Sequence, residues 1–116
     1  MRLRAEVWVK AYLRICMNAG ANAVVARHGD DDAGAVFIKV LRRDGAAALY
    51  GPAPSGIATQ DIERAWSSHL TGDDVTEAAV DSYLARQIDF DPDIWIVEVE
   101  DRDGRHFLDD WLVWRT

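Results

Sequence analysis

Apolar and polar positions alternate over Leu3-Arg4-Ala5-Glu6-Val7, the period-two pattern of a half-buried strand. From Val9 the period lengthens: Val9, Tyr12, Leu13, Cys16 and Met17 form one helical stripe, and Gly20 is its natural stop. Residues 22–28 read as a poorly patterned strand and 29–34 as a turn, followed by a strongly apolar strand over Ala35 to Leu41. Asp44-Gly45 signals a two-residue hairpin loop returning through Ala46 to Tyr50, and residues 51–56, with two prolines and two glycines, form a loop. Residues 61–70 fit either a helix or a strand. Asp74 with Glu77 makes a capping box for a helix carrying Val80, Tyr83, Leu84 and Ile88, which Pro92 ends. Ile94 to Asp101 is the best-patterned strand, and Asp103-Gly104 turns it back through Arg105 to Leu108.

These elements predict an α+β fold: a mainly antiparallel sheet, built as a meander plus a C-terminal hairpin, with two helices packed on one face. No repeat, low-complexity stretch or long linker divides residues 1–116, so the chain reads as a single domain. The 44–45 turn places Lys39 opposite Tyr50, where its stem would lie over the ring. The 103–104 turn places Asp101 opposite His106, Val99 opposite Leu108 and Glu98 opposite Asp109.

Composition narrows the class. Apolar residues make up 49% of the chain and charged residues 28%, values of a folded globule. Five tryptophans in 116 residues require burial in an aromatic core or cover by a partner. The single cysteine, Cys16, favours a reducing, cytoplasmic setting and sits on the apolar helical stripe as a small core residue. Glu6, Lys10 and Arg14 interrupt the N-terminal segment, which therefore lacks the apolar run of a signal peptide, and no run is long enough to cross a bilayer. The net charge of −7 is unevenly spread: residues 1–43 hold eight Lys/Arg against four Asp/Glu, and residues 44–116 hold five against sixteen. Overall acidity argues against a general nucleic-acid binder.

No complete catalytic set emerges. An acid beside an imidazole, as in Asp101–His106, suits a general base, but the hairpin offers no nucleophile, and the pair reads as a cross-strand ion pair. Glu98 facing Asp109 reads as a hard-cation site or as a frayed, solvated strand end. Asp89, Asp91, Asp93 and Glu100 mimic a calcium loop, but Ile94 stands where glycine is required. Pro92-Asp93 with Glu98-Val99-Glu100 echoes a nuclease motif that lacks its lysine. His28 and His69 have no ligand-like partners at helical or strand spacing, and Asp30-Asp31-Asp32 reads as a solvated turn. No metal or other cofactor is implied, because one cysteine makes no zinc pattern and no glycine-rich phosphate loop opens either helix.

Several strings resemble a family of short bacterial proteins: residues 4–14, Gly-Ala-Val-Phe-Ile-Lys-Val (34–40), Leu-Tyr-Gly-Pro-Ala-Pro (49–54), Tyr-Leu-Ala-Arg-Gln (83–87), Phe-Asp-Pro-Asp-Ile-Trp (90–95) and residues 100–108. The likeness, to the domain-of-unknown-function family DUF1491, runs from Arg4 to about Leu112 and is poorest over 56–75. It implies a stand-alone bacterial protein of this length and supplies no activity. It draws attention to Arg86, Gln87, Asp91, Asp93, Arg105 and His106 as a candidate surface site. Three function classes follow: a binding module acting through a protein partner or as a homodimer, a small metal-assisted hydrolase using Asp91, Asp93, Glu98 and Asp109, and an RNA- or translation-associated factor using Arg2, Arg4, Lys10, Arg14, Arg42 and Arg43. The tryptophan load, small size, split charge and missing catalytic set favour the first, with neither membrane nor nucleic acid as partner.

Overall fold

Helix α1 spans Ala5–Asn18 in the computed structural model, which describes residues 3–54 and 64–114, the side chains of 113 and 114 excepted. Ser55-Gly56 of the predicted loop, residues 61–63 of the ambiguous segment and Arg2 lie outside the described residues. The strand expected at Leu3–Val7 is instead the helix entry. Ala5, Trp8, Val9, Tyr12 and Cys16 are buried at helical spacing, while Leu3 and Val7 face outward, so the long stripe overrides a three-residue alternation. Near Gly20, the Ala21 N–H closes the helix onto the Cys16 carbonyl.

The strands are β1 (Asn22–Arg27), β2 (Val36–Arg42), β3 (Ala47–Pro52), β4 (Trp66–Leu70), β5 (Trp95–Asp101) and β6 (Leu112–Trp114); helix α2 spans Glu77–Phe90. They form one six-stranded sheet in the order β1-β5-β2-β3-β4-β6. Three of the five pairings are antiparallel, while β2–β5 and β4–β6 are parallel. The fold is α+β, a mainly antiparallel sheet with two helices, as the patterning predicts. Residues 66–70 are a strand, which resolves their ambiguity.

The helices, however, lie on opposite faces. α1 packs with Val36, Ile38, Val40, Tyr50, Trp66, Trp95, Val97, Val99 and Leu108; α2 contributes Val80 and Leu84 to a second core with Phe37, Ala47, Leu49, Ile94 and Ile96. Strand alternation divides the two sets, and β2 and β5 read as near-continuous apolar runs because both faces are covered.

Two turn readings fail for identifiable reasons. Arg42 N–H donates to the Ala46 carbonyl, so Arg43-Asp44-Gly45 is a three-residue loop with Gly45 at φ +93°, stabilised by Asp44 accepting from the Ala46 N–H. The shift pairs Lys39 with Leu49 and Ile38 with Tyr50, and turns Lys39 to the α2 face, away from Tyr50. The C-terminal hairpin does not form, because both edges of β5 are already taken by β1 and β2. Residues 102–111 instead cross the α1 face, held by buried Leu108 and by Tyr12 donating to the His106 carbonyl at 2.5 Å, and lead to β6 beside β4. Asp101–His106, Val99–Leu108 and Glu98–Asp109 are therefore not register pairs of two strands. The α2 cap also moves: Thr76 accepts from the Ala79 N–H at 3.1 Å, in place of an Asp74–Glu77 box.

Asp101 has a different partner. Arg105 holds it bidentately at 2.7 and 3.1 Å, and the N–H groups of Arg105 and Asp103 donate to it as well. The Arg105 guanidinium, chiefly, takes its pKa down to about 2 from an ordinary 3.8, against the opposing effect of burial. A depressed folded pKa contributes stability above the unfolded value and loses it as pH falls toward the folded one. Asp101→Asn is thus expected to lower the melting temperature at pH 7, with the gap to the parent closing between about pH 4 and pH 2. A gap that stays constant across that range would contradict the assignment.

Candidate binding surface beside strand β1

Lys39 is the least expected residue of the sheet interior, with only 5% exposure in the middle of β2. Its ammonium reaches Glu77 Oε2 at 2.7 Å and Asp81 Oδ1 at 2.8 Å, one helical turn apart on α2, and Glu98 Oε2 at 3.6 Å on its β5 register partner. Burial alone would lower the lysine pKa, but hydrogen bonds to Asp81 and Glu77 and the charge of Glu98 outweigh it and raise it. Lys39 is therefore a fixed cation and not a nucleophile or Schiff-base amine, which would need the opposite shift. Three carboxylates share this one ammonium, so the cluster keeps an excess of negative charge at the surface.

Beside the cluster is a cleft of about 230 Å³ lined by Ala26, Lys39, Asp81, Leu84, Ala85, Ile88, Ile96 and Glu98. It exists because α2 lies over β2, β3 and β5, and no residue of β1 belongs to the α2-side core. On that side Asn22, Val24 and Ala26 are exposed, Val24 at 58%. Among the described residues the outer edge of β1 is also unpaired, since β1 bonds there only to β5.

The sequence-derived candidates fall into two groups at opposite ends of β5, separated by a seven-residue strand of roughly 20 Å. At its start, Asp91 accepts from the Asp93 N–H, the Asp93 carbonyl receives the Asp30 N–H, and the Gln87 carbonyl closes α2 onto the Asp91 N–H. Arg86 stands over the Tyr83 ring. At its far end, Arg105 binds Asp101, while His106 accepts from the Leu108 N–H through Nδ1 and meets Tyr50 edge-on. Their described contacts are structural. His69 is likewise tied at both nitrogens: Nε2 donates to the Pro52 carbonyl and Nδ1 is hydrogen-bonded with the Tyr83 hydroxyl. His28 pairs with Asp31 and lies against Trp95. Cys16 is buried, which pushes its thiol pKa up and leaves it unreactive.

Among the described residues, no three His, Cys, Asp or Glu side chains are grouped to hold a metal ion. Glu98 faces Lys39, Asp109 lies in the 102–111 connection, and Asp91 and Asp93 are at the start of β5. Of the basic residues, Arg4 pairs with Glu6 and Asp32 and Arg42 with Asp44 and Asp73; Lys10 and Arg14 are on α1. No described helix is long and apolar enough to cross a membrane.

Comparison with known proteins decides the family. The model of the protein family of unknown function DUF1491 matches residues 3–109. The chain belongs to DUF1491. Its fold recurs in solved structures: a DUF1491 crystal structure from Caulobacter crescentus CB15 is 42% identical, with a TM-score of 0.80 over 97% of this chain and 98% of that one. An NMR structure of a DUF1491 protein from the same organism is 44% identical (TM-score 0.77, covering 92% and 93%), and a solution structure from A. tumefaciens is 36% identical (TM-score 0.78, covering 92% of each). No curated protein matches. The function of DUF1491 is unknown, so the lysine–carboxylate cluster and the cleft must be read from their own chemistry.

Lys39 carried a sequence signal that periodicity alone leaves unused. A lysine inside Val-Phe-Ile-Lys-Val-Leu demands carboxylates, and Glu77 and Asp81 one turn apart on a helix can supply two.

Proposed function

We propose that this DUF1491 protein is a small, non-catalytic binding module that receives a cationic, amphipathic helical segment of a protein partner between α2 and β1. The observation that carries this reading is an uncovered, apolar strand face beside three carboxylates that share one lysine. β1 lies two strands from β2, roughly 10 Å away, which is the spacing at which a second helix packs alongside α2. Val24, Ala26 and Ile88 would take its apolar side, and Asp81 and Glu98 its lysines or arginines. A cytoplasmic, bacterial setting fits the unpaired, buried Cys16 and the sources of the related structures.

Calorimetric titration with a synthetic leucine–lysine amphipathic helix tests it. Binding that weakens roughly tenfold in Asp81→Asn/Glu98→Gln, and again in Val24→Asp, is the expected result. Equal binding by parent and variants would overturn the proposal. So would a dimer by light scattering that Val24→Asp dissolves, since a second copy would then occupy the face.

A further inference from the structure

A second cavity, of about 600 Å³, opens at the C-terminal ends of the parallel strands β2 and β5. Its lining joins the α1–β1 corner (Gly20, Asn22), the end of β2 with the loop after it (Arg42, Arg43, Gly45) and the end of β5 with the residue after it (Glu100, Arg102), with Glu77 of α2 at one side. Arg42 and Asp101 are register partners on adjacent parallel strands, so Arg43 and Arg102 are each the first residue beyond that pair. The chain thus brings two arginines to neighbouring strand ends, where both line the groove.

Most charges in the groove are already matched. Arg42 is bound by Asp44 and Asp73 and Asp101 by Arg105, while Glu77 shares Lys39 with Asp81 and Glu98. Arg43 and Arg102 have no acid partner among the described residues, and Glu100 is the one lining acid left unmatched. Like charges at neighbouring strand ends repel, and neither arginine is held by a described carboxylate. A dianion between the two guanidinium groups would relieve them, each fork matching an oxyanion edge. α2 also begins at this groove, so its positive dipole end favours the same sign of ligand.

We infer that this groove binds a small phosphate monoester, its phosphate held between Arg43 and Arg102 and the rest of the molecule lying toward Asn22 and Glu100. Cavity size favours a small metabolite over bare phosphate, and the acidic chain disfavours a polymeric nucleic acid. Glu100 would accept hydrogen bonds from hydroxyl groups of the ligand.

Amide NMR titrations at matched ionic strength, using inorganic phosphate, glycerol 3-phosphate and acetate as probes, test the assignment. The expected result is saturable shifts at Asn22, Arg43, Gly45 and Arg102, tighter for glycerol 3-phosphate than for phosphate. Arg43→Gln and Arg102→Gln, both at exposed positions, should each weaken binding about tenfold, while Lys10→Gln on α1 leaves it unchanged. The same spectra confirm that each variant is folded. Absence of saturable shifts, shifts that neither arginine variant alters, or acetate binding as well as phosphate would each overturn the inference.

Discussion

Trp66→Ala is expected to remove about 3–5 kcal/mol of stability. Trp66 is 2% exposed and joins four parts of the chain. It stacks on Trp8 of α1 at 4.1 Å, meets Trp111 edge-on, and donates its indole N–H to the Val36 carbonyl of β2 at 2.9 Å, while its own strand is β4. Truncation opens a cavity among rings that cannot collapse into it and leaves the Val36 carbonyl without that donor. Against a typical domain stability of about 5–15 kcal/mol, that loss is a large share. Trp66→Phe keeps most of the ring and loses the hydrogen bond, so it should cost less, about 1–2 kcal/mol. Urea unfolding of the three proteins is the check; a Trp66→Ala variant within about 1 kcal/mol of the parent would mean that the tryptophan cluster is not the keystone of the α1-side core.

Lys39→Met is the second large effect, at about 2–3 kcal/mol. Methionine replaces the stem but not the ammonium, so packing is nearly kept while Glu77, Asp81 and Glu98 lose their shared cation. Breaking a fully buried pair costs about 3–5 kcal/mol; here the carboxylates are 27–56% exposed and water screens part of the repulsion. The residual repulsion should respond to salt, so the variant should regain stability at high ionic strength more than the parent does. Denaturant midpoints at low and high salt check this. A loss insensitive to salt would point to packing alone.

Much of the fold was legible because period and punctuation agree. α2, β2 and β5 follow directly from their apolar patterns, and Gly20 and Pro92 mark helix ends where the structure has them. What failed was non-local. A one-residue difference in the 43–45 loop turns Lys39 from one face of the sheet to the other, and a turn dipeptide cannot report that difference. Asp103-Gly104 does make a turn, but β5 has no free edge for the returning chain, and strand order is a property of the whole sheet. The placement of the two helices on opposite faces follows from the same parallel β2–β5 neighbourhood, which short-range patterns did not suggest.

The candidate site was legible in parts. Lys39, Glu77 and Glu98 each drew notice singly, as a stem over a ring, a capping residue and half of an acidic pair. Their common role emerges only when β2, β5 and α2 are brought together. The face of β1 carries no motif at all; it is defined by where α2 does not reach.

Site-specific photo-crosslinking tests the central claim most directly. A photoreactive amino acid replaces Val24 in the full chain, expressed in its native host, with a second probe at exposed Asn18 on the opposite side of the sheet as control. The expected result is a cross-link from position 24 to a lysine- or arginine-rich amphipathic helix of another protein, absent from position 18 and lost in Asp81→Asn/Glu98→Gln. No cross-link at position 24, or capture there of an acidic segment or of a second copy of this chain, would contradict it.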